Sequence, residues 1–218
     1  MRKIVIFGAA EQAELAHFYF VEEGKYDVVG FVVDDEFLKE NSFCGKPVVA
    51  FSRLTELYPP SDFSAFVALG YTRMNALRET KYYAMKALGY DLVSYISSFC
   101  HCFTKDIGDN CLILEDNTIQ PFVKIGNNVT LWSGNHIGHH SQIGDHAFIT
   151  SHVVVSGGVK IGPNCFLGVN ATIRDHIKIG DYSLIGAGAI ITKDTEVKSL
   201  YKGVRSCPEN ISSDQIRI

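Results

Sequence analysis

Residues 155–173 read VSGGVKIGPNCFLGVNATI, with an aliphatic residue at every sixth position. The same spacing continues in both directions, from Ile107 to Val197, without a single insertion. The series consists only of Ile, Leu and Val: Ile107, Ile113, Ile119, Ile125, Leu131, Ile137, Ile143, Ile149, Val155, Ile161, Leu167, Ile173, Ile179, Ile185, Ile191 and Val197. Chance does not produce sixteen such positions in fixed register, so this half of the chain is a structural repeat.

The other columns of the hexad are ordered as well. A small residue recurs four positions after the aliphatic one, as in Cys111, Ala147, Cys165, Ala171, Ser183 and Ala189. Three positions after the aliphatic residue come residues that tolerate a left-handed backbone: Asn110, Asp116, Asn128, Gly134, Gly158, Asn164, Asn170 and Gly188. Each hexad is therefore predicted to form a short strand, with its aliphatic and small residues pointing inward, followed by a tight corner.

The first half of the chain has a different pattern. Strand-like apolar runs and helical periodicity alternate along it, at Lys3–Phe7, Glu11–Phe20, Val28–Val33, Phe66–Leu69 and Met74–Leu88. This alternation predicts a small parallel βαβ domain of the Rossmann-like type. We expect three segments: this domain over 1–95, the repeat over 106–197 and a C-terminal tail over 198–218.

The composition argues against several classes of binding partner. The 218 residues carry 20 Lys plus Arg and 24 Asp plus Glu, for a formal net charge of −4, so we expect neither a nucleic-acid nor a membrane partner. The N-terminal apolar run Ile4–Phe7 is too short for a signal peptide. The six cysteines lack zinc-like or disulfide-scaffold spacing, which predicts reduced thiols in a cytoplasmic protein and no metal.

Two features of the first half are candidate binding residues. Gly8 and Ala9 lie between a strand and a helix, where free backbone N–H groups can hold a phosphate; the alternative is a plain tight turn. Asp34 and Asp35 follow the second strand, where a carboxylate either binds a ribose hydroxyl or caps the strand. One glycine does not make a G-x-G-x-x-G motif, so a redox dinucleotide is not expected.

The repeat resembles the hexapeptide-repeat left-handed parallel β-helix, in which three hexads make one triangular coil. With the preceding βαβ domain, the chain resembles bacterial sugar acyltransferases of the sialic-acid O-acetyltransferase (NeuD) and PglD-like nucleotide-sugar N-acetyltransferase type. The resemblance covers nearly the whole chain and rests on Ile4-Phe7-Gly8-Ala9, Val29–Asp35, Ile137-Gly138-His139, Gly157–Gly162 and Asn164–Gly168. It implies a homotrimer that uses acetyl-CoA, binds the nucleotide of a nucleotide-linked sugar on the N-terminal domain, and places catalysis between adjacent subunits.

Acyl transfer from a thioester needs a general base and a donor for the developing oxyanion. His139 matches the family's catalytic histidine, and Gly157, one coil further on, predicts an open notch with an accessible backbone. His140 stands where the family has Glu or Asp. A carboxylate brought near by folding is one way to orient the base, and the candidates are Glu115, Asp116 and Asp145.

The remaining histidines of the repeat have a simpler interpretation. His146, His152 and His176 share with His140 the left-handed corner column, in which His is one of the few residues enriched besides Asn, Asp and Gly. His136 is expected to face outward in mid-strand, where it is a candidate interface residue.

The resemblance also implies ligand contacts. Those for acetyl-CoA fall on Gly157, Val169 and Ala187, mainly through backbone atoms, and those for the sugar substrate fall on Gly8, Ala9, Asp34, Asp35 and Trp132. Trp132 stands where the PglD type has Asn, and Glu11 and Gln12 replace a Gly and a His of its phosphate loop. These departures predict an acceptor different from the well-studied ones.

The predicted function is acetyl transfer from acetyl-CoA to the amino group of a nucleotide-linked amino or dideoxy sugar, with His139 and His140 as catalytic residues. The closest alternative is O-acetylation of a sugar hydroxyl by the same machinery. Two other classes stay open: a non-catalytic trimeric scaffold, and a zinc hydratase of the γ-carbonic-anhydrase type. The spacing of the histidines argues against the hydratase.

Overall fold

The computed structural model describes residues 2–208 and confirms the predicted fold class: an α/β domain followed by a left-handed parallel β-helix. The strands of the α/β domain are β1 (Arg2–Phe7), β2 (Tyr26–Val33), β3 (Ser42–Phe43), β4 (Lys46–Ala50) and β5 (Ser64–Val67). Its helices are α1 (Glu11–Glu22), α2 (Leu54–Leu57) and α3 (Ala76–Ala87). The sequence pattern does not predict the elements from β3 to α2, because each is too short to show the hydrophobic period of a strand or a helix.

The α/β domain is a sheet with the strand order β3-β4-β2-β1-β5, in which only β3 is antiparallel to its neighbour. The continuous apolar run of β1 follows from burial on both faces. Ile4 and Ile6 pack with residues of α1, whereas Val5 and Phe7 pack in the cluster that contains Met85 of α3. β1 has β2 on one side and β5 on the other. The loop at Gly8 follows β1, so it lies at the carboxyl edge of the sheet, at the point where the strand order changes direction.

The β-helix has three faces, each a parallel sheet of two-residue strands. The docked face, which packs against the α/β domain, consists of Tyr95–Ile96, Leu112–Ile113, Thr130–Leu131, Phe148–Ile149, Phe166–Leu167, Leu184–Ile185 and Leu200–Tyr201. The open face consists of His101–Cys102, Thr118–Ile119, His136–Ile137, Val154–Val155, Thr172–Ile173 and Ile190–Ile191. The lysine face consists of Lys124–Ile125, Gln142–Ile143, Lys160–Ile161 and Lys178–Ile179.

The hexad aliphatics form the core of the β-helix, and those from Ile113 to Ile191 are all buried. Val197 is an exception, because its side chain is 57% exposed and Thr195 occupies the buried place instead. The N–H of Gly180 donates to the Thr195 hydroxyl at 2.9 Å, so the last coil is closed by a polar contact. The prediction that Val197 continues the inward column is therefore wrong.

Three edges join the faces, and each carries a column of residues with positive φ. Edge A, between the lysine and docked faces, has Asn110, Asn128, His146, Asn164 and Tyr182. Edge B, between the docked and open faces, has Asp116, Gly134, His152, Asn170 and Gly188. Edge C, between the open and lysine faces, has Phe122, His140, Gly158 and His176. The predicted left-handed corners are confirmed, including all four histidines assigned to them.

Helix α3 fastens the α/β domain to edge A. The Arg78 side chain is buried, and its guanidinium donates to the backbone carbonyls of Asn128, His146 and Ala147. Asn75 completes the contact, since its side-chain amide donates to the Asn164 carbonyl at 3.1 Å. A guanidinium has five N–H donors in a rigid plane, so one side chain can satisfy carbonyls of two successive coils.

Three further findings bear on the predictions. None of the helices within residues 2–208 is long and apolar enough to cross a membrane. The six cysteines are unpaired. The first residues of the predicted tail form the strand Leu200–Tyr201, whereas 209–218 lie outside the described residues.

Replacing Arg78 with Met should lower the free energy of unfolding by about 2–4 kcal/mol, because buried carbonyls at edge A lose their donors. Denaturant unfolding at a fixed protein concentration measures the change. Arg53→Met is the control, since Arg53 is exposed and pairs only with Glu56 on the surface. Equal unfolding midpoints for the two variants would contradict the role given to Arg78.

Candidate active site

His139 lies at the outer corner of edge C, where its side chain is exposed to solvent. Its backbone N–H donates to Oε1 of Gln120 at 2.9 Å, which fixes the start of the corner. Its imidazole covers Gly157 in the next coil: a Cβ built on Gly157 would lie 2.8 Å from Nε2 of His139. Any side chain at residue 157 would therefore displace the ring, and the space over Gly157 that the sequence predicted as an open notch is covered by this imidazole.

His140 is the partner of this imidazole. The Nδ1 atoms of His139 and His140 are 3.1 Å apart, and the two rings meet edge-on. The ring of His140 also lies against Phe122, with 4.7 Å between the ring centroids. The two histidines thus form one unit held by an aromatic contact from the preceding coil.

The carboxylates proposed to orient His139 are elsewhere. Glu115 lies beside edge B and accepts hydrogen bonds from Tyr19 at 2.7 Å and Ser133 at 2.7 Å. Asp116 is also on edge B. Asp145 lies beside edge A, where it accepts from the backbone N–H of Asn127 at 2.7 Å. Within one copy of the chain, none of these groups reaches His139, and no carboxylate within residues 2–208 hydrogen-bonds to it.

The other corner histidines are structural. His146 is buried on edge A, where Asn128 contacts its Nδ1 at 2.8 Å, and burial lowers the pKa of its imidazole. The rings of His152 and His176 lie over Gly134 and Gly158, each one coil earlier. His139 differs from them in having a second imidazole within hydrogen-bond distance.

Gly157, Val169 and Ala187 share one position of the hexad, the first residue of a corner. Their carbonyls continue the coil-to-coil pattern, since Gly157 and Val169 accept from the N–H of His176 and Gly188 at 3.0 and 2.8 Å. Their own N–H groups donate to no acceptor among the described residues. They are exposed or half-buried and present backbone donors to a ligand.

The predicted base residues and two of the three predicted acetyl-CoA contacts lie on different edges of one chain. His139, His140 and Gly157 are on edge C, whereas Val169 and Ala187 are on edge B. The open face separates these edges by one hexad, a span of about 20 Å at 3.3 Å per residue. One copy of the chain does not bring them together.

The predicted binding residues of the α/β domain line a cavity of about 290 Å³ at the carboxyl edge of its sheet. Gly8, Ala9 and Asp34 contribute to it, and Gly8 has φ +124 with the Ala68 carbonyl 2.7 Å from where a Cβ would lie. The sequence did not point to Lys81, which enters from α3 and forms an ion pair with Asp34. The cavity therefore offers a cation and a carboxylate side by side.

Asp35 does not take part in this cavity. Its carboxylate accepts from the backbone N–H of Ser52 at 3.0 Å and from the Ser52 hydroxyl. These hydrogen bonds lower the pKa of Asp35. The structure thus separates the two aspartates that the sequence treated as equivalent.

A cleft of about 910 Å³ continues from this cavity toward edge B. Ala10 lines both spaces, and Val169 lies at the far side of the cleft. Its wall on the docked face carries Trp132 and Phe148, and Tyr71 packs against Phe148 at 5.1 Å between ring centroids. The indole N–H of Trp132 is buried and has no hydrogen-bond partner among the described residues. The contact between Trp132 and the sugar substrate stays a prediction.

Residues 106–193 match the family model for the bacterial transferase hexapeptide (six repeats), in the segments 106–139, 122–157 and 158–193. The matched residues are those of the β-helix, and they make up less than half of the chain. No curated protein matches the sequence.

Several solved structures share the fold over nearly the whole chain. The acetyltransferase domain of PglB from Neisseria gonorrhoeae is 23% identical, with a TM-score of 0.81 over 93% of this chain and 97% of that one. PerB from Caulobacter crescentus, solved with CoA and GDP-perosamine, is 23% identical, with a TM-score of 0.81 over 93% and 95%. WeeI from Acinetobacter baumannii is 19% identical, with a TM-score of 0.78 over 92% and 96%. At these identities the likeness establishes the fold.

The described residues contain no group of three or more His, Cys, Asp or Glu side chains arranged to hold a metal ion. The candidate functional groups are the histidine pair of edge C, the corner N–H groups that donate to no acceptor in the fold, and the Asp34–Lys81 cavity.

Proposed function

We propose that the chain is an acetyltransferase that moves an acetyl group from acetyl-CoA to the amino group of a nucleotide-linked sugar. The observation that carries this proposal is the exposed imidazole of His139 with its Nε2 beside Gly157, whose N–H is not used by the fold. A base and an oxyanion donor next to each other are what acyl transfer requires. The structural likeness to PerB, which was solved with CoA and GDP-perosamine, supports the same choice.

In the proposed reaction, the amine attacks the thioester carbonyl while Nε2 of His139 accepts a proton from the amine. The carbonyl oxygen becomes an oxyanion, and the Gly157 N–H is placed to donate to it. The intermediate then breaks its C–S bond, and the imidazolium returns the proton to the departing CoA thiolate. The products are an amide and CoA, and no cysteine is needed as a nucleophile.

The sugar substrate is proposed to lie along the two connected spaces of the α/β domain. Lys81 meets the diphosphate, and Asp34 is released to accept from ribose hydroxyls. The sugar extends past Ala10 into the cleft, against the ring of Trp132. This path ends at edge B, which is one hexad away from His139 of the same chain.

A second copy of the chain is proposed to supply the missing half of the site. If edge B of one copy meets edge C of the next, the cleft and Val169 of the first face His139 and Gly157 of the second. Head-to-tail contacts of this kind close into a ring when the rotation between copies closes, and a rotation of one third of a turn gives a trimer. The open face favours such contact, because the outward residues of its strands include Thr118, Val154 and Ile190 and none is Lys, Arg, Asp or Glu. We propose a homotrimer in which acetyl-CoA lies between the copies.

Binding of the nucleotide-linked sugar should change the fluorescence of Trp132, the only tryptophan of the chain. Titration with UDP-, dTDP- and GDP-linked sugars measures affinity without catalysis. Lys81→Met should weaken the affinity at least tenfold, because a charge-assisted contact to phosphate contributes about 1.5–3 kcal/mol. Lys124→Met, on the lysine face, is the control, and equal affinities of the two variants would refute the placement of the diphosphate.

His139→Ala should lower kcat/KM by about 10²- to 10⁴-fold, as expected for removal of a general base. Thiol release from acetyl-CoA with a panel of nucleotide-linked amino sugars gives the rate, and mass spectrometry of the product identifies the acetylated position. His152→Asn is the matched control, since it changes a corner histidine to the residue type found at Asn170 of the same edge. An ester product would establish the O-acetyl alternative, and no turnover with any acceptor would favour the scaffold.

Mixed assemblies test whether two copies share one site. His139→Ala and Ala187→Trp should each be inactive alone, the second because it fills the acetyl-CoA surface of edge B. When the two variants are coexpressed and purified as mixed trimers, about a third of the sites combine an intact edge C with an intact edge B. Activity near that fraction supports the shared site, whereas a mixture as inactive as its parents would place the site within one copy.

A further inference from the structure

The contact between His139 and His140 restricts where their protons are. Neutral imidazole has one N–H and one bare nitrogen, and a hydrogen bond between two Nδ1 atoms needs one of each. At 3.1 Å, therefore, a single proton lies between the rings when both are neutral. Two arrangements satisfy this condition, and they differ in which Nε2 carries the other proton.

Only one arrangement suits the proposed reaction. A base at Nε2 of His139 requires that this atom is bare, so the proton of His139 is on Nδ1 and is donated to His140. His140 then has a bare Nδ1 and carries its proton on Nε2. We infer that His140 is a positioning residue that accepts this hydrogen bond and thereby holds His139 in the tautomer competent as a base. The inference rests on the proposed function and replaces the carboxylate expected from the resemblance.

The surroundings of His140 support this role. Its backbone has φ +60, which fixes the direction of the side chain from the corner, and its ring lies against Phe122. One coil further on, the same column has Gly158, and the space over Gly158 is filled by the ring of His176. His139 is fixed independently by Gln120 and by its position over Gly157. Both rings are thus oriented by the coil itself.

A neutral partner has a different pH dependence from a carboxylate. A carboxylate attracts the imidazolium and so favours the protonated base, whereas a neutral imidazole does not. A protonated His140 has no bare nitrogen, so it loses the hydrogen bond and repels a cationic His139. The neighbouring coils have no titratable residue at this corner, and Lys105, Asp175 and His176, which lie two coils away, make no hydrogen bond to either ring.

Three substitutions of His140 separate the loss of the hydrogen-bond acceptor from a change of charge. Asn and Gly suit the left-handed backbone of this corner, and Glu introduces a carboxylate. His140→Asn retains an acceptor and is the residue type of Asn128 and Asn170 at other corners, so kcat should stay within about threefold of the native value. His140→Gly, which matches Gly158, removes the acceptor and should lower kcat at least tenfold with KM for acetyl-CoA unchanged. His140→Glu should move the acid limb of the kcat/KM profile to higher pH by about one unit.

His176→Gly is the control at the same edge, since it removes a corner histidine that does not touch His139. A wild-type kcat for His140→Gly, or an unshifted pH profile for His140→Glu, would overturn the inference. Nitrogen-15 NMR of the histidine rings is independent of turnover and covers the case in which the proposed function fails. Above pH 8, the inference requires a proton on Nδ1 of His139 and on Nε2 of His140, and the opposite assignment overturns it even if the protein is active.

Discussion

The strict register of the hexads is the constraint on which the rest of the structure depends. Each coil returns to the same place because every corner has one residue with positive φ, and strands one coil apart pair in register, as Thr130 does with Phe148. This repetition places Gly157 under His139, and it places the carbonyls of Asn128 and His146 at the spacing that one guanidinium can reach. A residue inserted between His139 and His146 would disrupt both contacts at once, since it changes the spacing of 18 residues on which each depends.

The sequence predicted what depends on this register alone. The inward aliphatics and the left-handed corners follow from counting in sixes, and so does the corner position of His146. The same counting places the candidate carboxylates for His139 on other edges of the same copy. Glu115 differs from Ser133 by one coil of 18 and thus belongs to edge B, whereas Asp145 belongs with Asn127 to edge A. Their separation from His139 within one copy could therefore be predicted from the residue numbers.

Other features depend on contacts that no period encodes. Arg78 and Lys81 lie on one helix, and charged residues of a helix are ordinarily solvent-exposed. Arg78 is buried because edge A offers carbonyls that lack donors, and Lys81 reaches the cavity because that contact fixes the direction of α3. The contact between His139 and His140 depends on the conformations of two neighbouring side chains. Val197 escapes the pattern because a loop after Ile191 shortens the last coil.

The division of chemistry between two edges connects the assembly to the proposed reaction. The proposed site draws on both edges, because edge C has the histidine pair and edge B lies at the end of the cleft that continues from the Asp34 cavity. The outward residues of the open face between them are His101, Thr118, His136, Val154, Thr172 and Ile190, so this face has no Lys, Arg, Asp or Glu. The faces on either side differ, since one is covered by the α/β domain and the other is lined by lysines. In the proposed ring, contact through the open face brings edge B of one copy to edge C of the next. The assembly and the reaction are then a single proposal, because the contact that forms the ring also joins the two halves of the proposed site.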